Sequence, residues 1–126
     1  MAALKESVRR SLIYRLKEHA AKKWKKECRE VLVKFRGPHA YIDALPVRVE
    51  GRTEEEQESL RATPVHLCRL TYLSRSDVWG FAFYKYSDSK YERSYLPSGS
   101  MIGSPEACFD CAAGVYLADQ WNPFNH

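Results

Sequence analysis

The chain has 126 residues, of which 44% are hydrophobic and 13% aromatic, a composition typical of one globular domain and not of a disordered chain. No apolar run approaches the ~20 residues of a membrane-spanning helix, and the N-terminus lacks the apolar core of a signal peptide, so we expect a cytoplasmic protein that contacts no membrane. The net charge of +4 is uneven, with thirteen Lys and Arg against six acids in residues 1–50 and seven against ten in residues 51–126.

Residues 4–26 predict the first helix, because Leu12, Leu16, Ala20 and Trp24 fall on one stripe at about 100° per residue. The lysine-rich end of this helix, KKWKKE, is either a phosphate-binding patch or, more commonly, compensation of the helix dipole. Residues 30–36 and 39–45 then alternate apolar and polar side chains on either side of a Gly-Pro turn, which predicts a first pair of strands.

Residues 46–64 combine Pro, Gly and the acidic run TEEEQE with few large apolar side chains. We therefore expect an exposed, mobile loop over residues 51–64.

A hairpin at residues 65–87 is the densest aromatic and β-branched stretch, with strands at 65–73 and 78–86 joined by the polar SRSD. Trp79, Phe81 and Phe83 share one face of the second strand, while Tyr84 and Tyr86 share the other. Both faces are largely apolar or aromatic, which predicts a central strand pair covered on both sides.

Residues 91–96 predict a further strand, and residues 105–118 a second helix. Ser104 is a suitable N-cap, Pro105 suits the first turn and Glu106 suits the positive end of the dipole. This helix is apolar almost all round, so we expect it to be buried against the sheet with Cys108, Ala112 and Val115 in the core.

These elements predict one α+β domain over residues 1–126, with an N-terminal helix, a curved antiparallel sheet of four to five strands and a buried C-terminal helix. Successive hairpins make a meander the simplest strand order. A doubly wound α/β fold is disfavoured because no helix separates successive strands.

Cys108 and Cys111 form a C-x-x-C, but a zinc knuckle would need a second ligand pair at similar spacing, which the sequence lacks. The thiols also fall a turn inside the helix, whereas a redox C-x-x-C usually occupies the helix N-terminus. We expect reduced, buried thiols, no metal and no cofactor.

His39 and Asp43 fall on one face of one strand and are candidates for acid–base work, although they are too far apart to touch. A phosphate-acting enzyme would require His39, Asp43 or Glu92 to converge with Arg69 or with the Ser- and Gly-rich residues 98–104. The alternative is a solvent-exposed His and Asp with no catalytic role.

The tyrosines are the more unusual feature. A cluster of Tyr hydroxyls on a sheet can line a ligand pocket, stack on bases or form a protein interface, or it can be a core rim whose hydroxyls reach water. The candidate binding residues are Tyr72, Tyr84, Tyr86, Tyr91 and Tyr95, with Arg69 and Arg93 among them; Tyr41 also falls in a predicted strand, and Lys85 also lies among the tyrosines in the sequence.

The run RGPHAYIDA…LCRLTYL…WGFAFYKYS…YLPSGSMIGSPEACFD, over about residues 36–110, resembles short uncharacterised bacterial proteins. Some proteins of that kind travel on mobile gene cassettes. The resemblance implies no activity, cofactor or catalytic residue.

The sequence therefore favours a non-catalytic binding or protein-interaction module with its site on the tyrosine-bearing part of the sheet. A small hydrolase or nuclease acting on a phosphate-bearing substrate is the alternative. The partner would be a small ligand or another protein, and nucleic acid is a further candidate. We also expect a homodimer, because one amphipathic helix would not cover a wide second sheet face.

Overall fold

A computed structural model describes residues 3–118 of the chain. The helices are α1 (Glu6–Lys23), α2 (Glu54–Ala62) and α3 (Pro105–Tyr116). The strands are β1 (Cys28–Arg36), β2 (His39–Pro46), β3 (Val65–Arg75), β4 (Val78–Lys85), β5 (Lys90–Arg93) and β6 (Ile102–Gly103). The predicted α+β fold is confirmed.

The sheet is an antiparallel meander in the order β1-β2-β3-β4-β5, as the successive hairpins predicted. A sixth, very short strand was not predicted. It pairs with β4 beside Trp79 and Gly80, at the opposite end of β4 from β5. The backbone N–H of Phe81 donates to the carbonyl of Met101 and extends this pairing by one bond.

The N-terminal and C-terminal helices pack against each other and against the same face of the sheet, so they form one layer. Leu12 and Leu16 of α1 are buried in one core with Cys108 and Ala112 of α3. Arg15 of α1 donates two hydrogen bonds, of 2.8 and 2.6 Å, to the carboxylate of Glu106 on α3. The predicted burial of α3 is confirmed at Cys108 and Ala112, while Val115 is partly exposed. We call the face of the sheet on which α1 and α3 pack the covered face.

The start of α3 is fixed by local chemistry, as predicted. The Ser104 hydroxyl accepts a hydrogen bond from the backbone N–H of Ala107 at 3.1 Å, and Pro105 occupies the first turn. Both features suit a helix N-terminus, where backbone donors lack helical partners and proline loses no bond.

The expectation of a loop over residues 51–64 was wrong, because α2 lies there. The Thr53 hydroxyl accepts from the N–H of Glu56 at 3.1 Å, while the Glu56 carboxylate accepts from the N–H of Arg52 at 2.8 Å. This reciprocal capping, with three glutamates in the first turn, stabilises a helix without an apolar face. The segment is nevertheless exposed as expected, since no residue of α2 is buried.

A β-bulge in β3 decides which side chains reach which face of the sheet. Cys68 lies opposite Ile42 and His66 lies opposite Asp43, so Leu67 is an extra residue without an opposite partner. Leu67 and Cys68 are both fully buried. The alternation of side chains is therefore reversed across the bulge.

None of the helices in residues 3–118 is long and apolar enough to cross a membrane.

Candidate functional site

The face of the sheet opposite α1 and α3 gathers most of the predicted site residues; we call it the open face. The expectation that the central strand pair is covered on both sides was therefore wrong, because both helices pack on one face. Cross-strand partners share a face, and the register pairs Tyr41 with Arg69, Arg69 with Ala82, and Ala82 with Arg93. The central residues of the open face are His39, Tyr41, Asp43, His66, Arg69, Thr71, Ala82, Tyr84, Tyr91 and Arg93.

Five partly exposed rings form a continuous aromatic row across the open face. The ring of Tyr91 lies at its centre, 5.2 Å from the ring of Tyr41 and 5.0 Å from that of Tyr84, measured between centroids. The row ends at His39, 6.2 Å from Tyr41, and at His66, 4.6 Å from Tyr84. Burial, followed by the nearby Asp43 carboxylate, raises the pKa of Tyr91 well above its usual value, so its hydroxyl stays protonated.

Arg69 is the central cation of the open face. Its guanidinium carbon lies 5.9 Å from the centre of the Tyr91 ring, a cation–π distance. Its Nε atom is buried and has no hydrogen-bond partner among the described residues. A buried N–H without a partner is costly.

A depression of about 350 Å³ is lined by Arg69 and, among others, by His39, Thr71, Arg93 and Ile102; we call it the arginine depression. Ala82 lies between Arg69 and Arg93 in the cross-strand register; Arg69 is partly exposed and Arg93 is exposed. Burial, followed by the charge of Arg69, lowers the pKa of His39. The Nδ1 atom of His39 lies 3.0 Å from the Thr71 hydroxyl. At neutral pH this depression therefore offers two guanidinium groups and a neutral imidazole.

A second depression of about 410 Å³ lies beside it, lined among others by Tyr41, Asp43, His66 and Tyr91; we call it the tyrosine depression. Asp43 and His66 are cross-strand partners, and His66 Nδ1 lies 2.9 Å from Asp43 Oδ1. The phenol oxygen of Tyr86 accepts a hydrogen bond of 2.7 Å from the backbone N–H of His66 and so holds this end of β3. Sequence reasoning missed His66, because its pairing with Asp43 depends on the register around Leu67.

The predicted binding tyrosines do not all lie on the same face of the sheet. Tyr84 and Tyr91 join Tyr41 in the aromatic row, and Tyr86 extends it, with a centroid distance of 4.7 Å to Tyr84 and half of its surface exposed. Tyr72 was wrongly placed with them: it is opposite Trp79 on the covered face, on the same side of β3 as Cys68 and Leu70.

Tyr95 was also wrongly placed. Strand β5 ends at Arg93, so Tyr95 does not share the pleat of Tyr91; its side chain is 67% exposed outside the sheet. Arg69 and Arg93 both lie on the open face as predicted.

The predicted acid–base candidates do not meet in one place. His39 lines the arginine depression with Arg69, whereas Asp43 lines the tyrosine depression. Glu92 is opposite Phe83 on the covered face and forms an ion pair with Lys85 at 3.0 Å. The segment 98–104 contributes Ile102 to the rim of the arginine depression, while its Ser104 hydroxyl is used in capping α3.

The C-x-x-C thiols lie on the other side of the sheet from these depressions. Cys108 is fully buried and Cys111 partly exposed, and all four cysteines are free thiols. Burial raises the pKa of Cys108 to about 12. Within residues 3–118 no group of three or more His, Cys, Asp and Glu side chains is placed to hold a metal ion.

The fold and the site define an α+β protein with two helices on one face of an antiparallel sheet and an exposed aromatic and basic surface on the other. Comparisons with protein-family models, with curated proteins and with solved structures give no match to this chain.

Proposed function

We propose that the protein is a non-catalytic binding module whose open face takes a ligand with both an aromatic ring and an anionic group, such as a nucleotide. The observation that carries this proposal is the environment of Arg69. Arg69 lines the arginine depression, its guanidinium lies over Tyr91, and Arg93 is close across Ala82. A phosphate in the arginine depression would pair with these two guanidinium groups, and a charged hydrogen bond is stronger than a neutral one.

Charge supports an anionic ligand. Among the described residues that line the two depressions, the cations are Lys34, Arg36, Arg69 and Arg93, and the one acid is Asp43. Its carboxylate is already bound to His66. A concave surface with this excess of positive charge attracts anions and raises their local concentration.

The aromatic row supports a planar ligand. Tyr41, Tyr84 and Tyr91 present ring surface that remains partly exposed rather than enclosed by a helix. A tyrosine provides contact area with little loss of side-chain entropy, and its hydroxyl can orient a polar group. A ring stacked in the tyrosine depression would be adjacent to the cations that hold its phosphate.

A homodimer remains a separate proposal. Two open faces would bring Arg69 and Arg93 of both copies together, and like charges at an interface are costly. A dimer would therefore use another surface, and the exposed Tyr14 on α1 is a candidate, with 68% of its side chain accessible. Light scattering at micromolar concentration tests it.

The second candidate function is a hydrolase acting on a phosphate-bearing ligand, and the contact between His66 and Asp43 favours it. An imidazole held by a carboxylate is a common general base. However, His39, the other histidine of the open face, lies at the far end of the aromatic row and contacts Thr71. The two imidazoles are thus not placed to act on the same bond, which makes binding the better-supported function.

Calorimetric titration with uridine monophosphate tests the binding proposal, with uridine and inorganic phosphate as separate probes. We expect the nucleotide to bind at least tenfold more tightly than uridine or phosphate alone, because it contacts both the aromatic rings and the arginines. Arg69→Gln and Tyr41→Leu should each weaken it by about tenfold or more.

Two substitutions on α1 are matched controls for this titration. Arg10→Gln and Tyr14→Leu change the same residue types at exposed positions of α1 and should leave the affinity unchanged. A nucleotide that binds no better than phosphate, or equal losses from the α1 variants, would contradict the proposal.

A further inference from the structure

We infer that the ligand of the open face is a single-stranded nucleic acid that occupies both depressions with neighbouring nucleotides; this inference rests on the proposed function. The depressions adjoin at one cross-strand pair, because Tyr41 lines the tyrosine depression and its partner Arg69 lines the arginine depression. Neighbouring strands are about 4.8 Å apart. A ligand bound in one depression therefore extends directly into the other.

The sizes of the depressions favour a ligand with two repeating units. They measure about 410 and 350 Å³, each near the lower end of the roughly 300–1,000 Å³ of small-ligand pockets. Each depression also contains ring surface and cations: Tyr41 and Tyr91 with Lys34 in the first, His39 with Arg69 in the second. A polymer in which every unit carries a ring and a phosphate has this repeated chemistry.

The geometry favours a single strand over a duplex. The rings of the aromatic row lie on a sheet face, with steps of 4.6 to 5.2 Å between the centroids from Tyr41 to His66. In a duplex the bases are stacked on each other, and reading them requires an element that enters a groove. Splayed bases of a single strand can instead stack on aromatic side chains of a sheet while basic residues hold the backbone.

The same surface is less suited to an acidic peptide. Carboxylates would pair with Arg69 and Arg93, but peptide units offer no rings to cover Tyr41, Tyr84 and Tyr91. Stacking on these rings would add to affinity without depending on salt, whereas the contribution of the arginines falls as salt rises. This difference allows the two parts of the site to be measured separately.

The test is fluorescence anisotropy with end-labelled decauridylate RNA and decathymidylate DNA, at salt concentrations from about 50 to 200 mM. A ten-base-pair duplex and a decaglutamate peptide serve as competitors. We expect a single strand to bind at least tenfold more tightly than uridine monophosphate and to resist both competitors. A preference for RNA would identify recognition of the 2′-hydroxyl, and equal affinity for both strands would identify stacking and phosphate contacts alone; either result supports the inference.

The variants separate charge from stacking. Arg69→Gln and Arg93→Gln should each reduce the slope of log K against log salt by about 0.7, the value for one phosphate contact on a single strand. Tyr41→Leu should weaken binding by about tenfold at every salt concentration and leave the slope unchanged. Arg10→Gln and Tyr14→Leu on α1 should alter neither quantity. Circular dichroism before each titration confirms that every variant is folded.

The possible failures are distinguishable. If the decanucleotides bind no more tightly than uridine monophosphate, while the mononucleotide still depends on Arg69, the inference is wrong and the proposed function stands. If neither binds, both are wrong. Equal competition by the duplex or by decaglutamate would mean attraction by charge alone and would overturn the inference.

Discussion

The Nδ1 atom of His66 lies 2.9 Å from the Oδ1 atom of Asp43, although the two residues are 23 positions apart in the chain. The bulge at Leu67 makes this contact, because it moves His66 opposite Asp43 instead of shifting it to the covered face. Asp43 thereby orients the imidazole at one end of the aromatic row, where His66 also lies 4.6 Å from the ring of Tyr84.

We expect this pair to orient a ligand and not to catalyse hydrolysis. The wild-type protein should leave a fluorogenic single-stranded RNA intact, because the open face does not bring its two histidines to the same bond. His66→Gln, purified in the same way, is the control for contaminating nuclease. Cleavage by the wild type that falls about a hundredfold in His66→Gln would establish the hydrolase alternative.

A charge placed inside α3 should unfold the domain. Ala112 is fully buried between α3 and the sheet, so Ala112→Asp buries an unpaired carboxylate and should cost more than about 4 kcal/mol. Thermal unfolding followed by circular dichroism measures this. Ala107→Asp, on the exposed side of the first turn, is the matched control and should melt close to the wild type. A wild-type melting temperature for Ala112→Asp would mean that the buried side of α3 is wrongly assigned.

The sequence predicted the elements whose signals are local. Ser104 and Pro105 fixed the start of α3, and alternation with a polar turn fixed the hairpin of β3 and β4. Apolar periodicity does not indicate α2, because this helix has no apolar face. The signal that does indicate it is the capping signature of Thr53 and Glu56, which marks a helix start without any apolar pattern.

The errors in placing the site residues have a different cause, because they depend on pairing between strands and not on local sequence. Leu67 is an extra residue only relative to β2, so the contact between His66 and Asp43 is not visible within β3 alone. Tyr72 lies on the covered face because the register of β3 with β4 places it opposite Trp79. Alternation assigns Tyr41, Tyr84 and Tyr91 each to one side of its own strand, but their meeting on one face, and the contact of Tyr91 with Arg69, depend on strand order and register.

The contact between α1 and α3 should give an acid-sensitive stability. Burial raises the pKa of Glu106, but the hydrogen bonds and charge of Arg15 outweigh it, so the net pKa lies below the ordinary 4.5. A carboxyl with a lowered folded-state pKa stabilises the fold above its unfolded value, and this stabilisation is lost as the pH falls through the folded value.

Urea unfolding of Glu106→Gln and the wild type at several pH values tests this sign. At pH 7 the variant should be less stable by roughly 1 kcal/mol, and the difference should shrink below pH 4.5, because a protonated Glu106 resembles glutamine. Glu58→Gln, on the exposed α2, is the control and should match the wild type throughout. A difference that grows as the pH falls would contradict the assignment.

The least buried cysteine should react first with a thiol reagent, and the buried ones later. Burial raises the pKa of Cys108 to about 12 and that of the fully enclosed Cys68 well above its usual value, so neither forms a reactive thiolate at pH 8. Cys111 is partly exposed and should be labelled first by a thiol reagent, with the other cysteines reacting only in urea. Elemental analysis should find no stoichiometric zinc. Native mass spectrometry that finds a disulfide, or rapid labelling of Cys108, would contradict this account.

The central claim is that the open face is the binding surface, and the most direct test is ¹H–¹⁵N NMR of the full chain titrated with decauridylate. We predict that amide shifts and line broadening will concentrate at Tyr41, His66, Arg69 and Tyr91, while Tyr14 and Glu106 on the helical layer remain unchanged. Perturbations that concentrate on α1 and α3, or a spectrum that does not change at millimolar oligonucleotide, would contradict the claim.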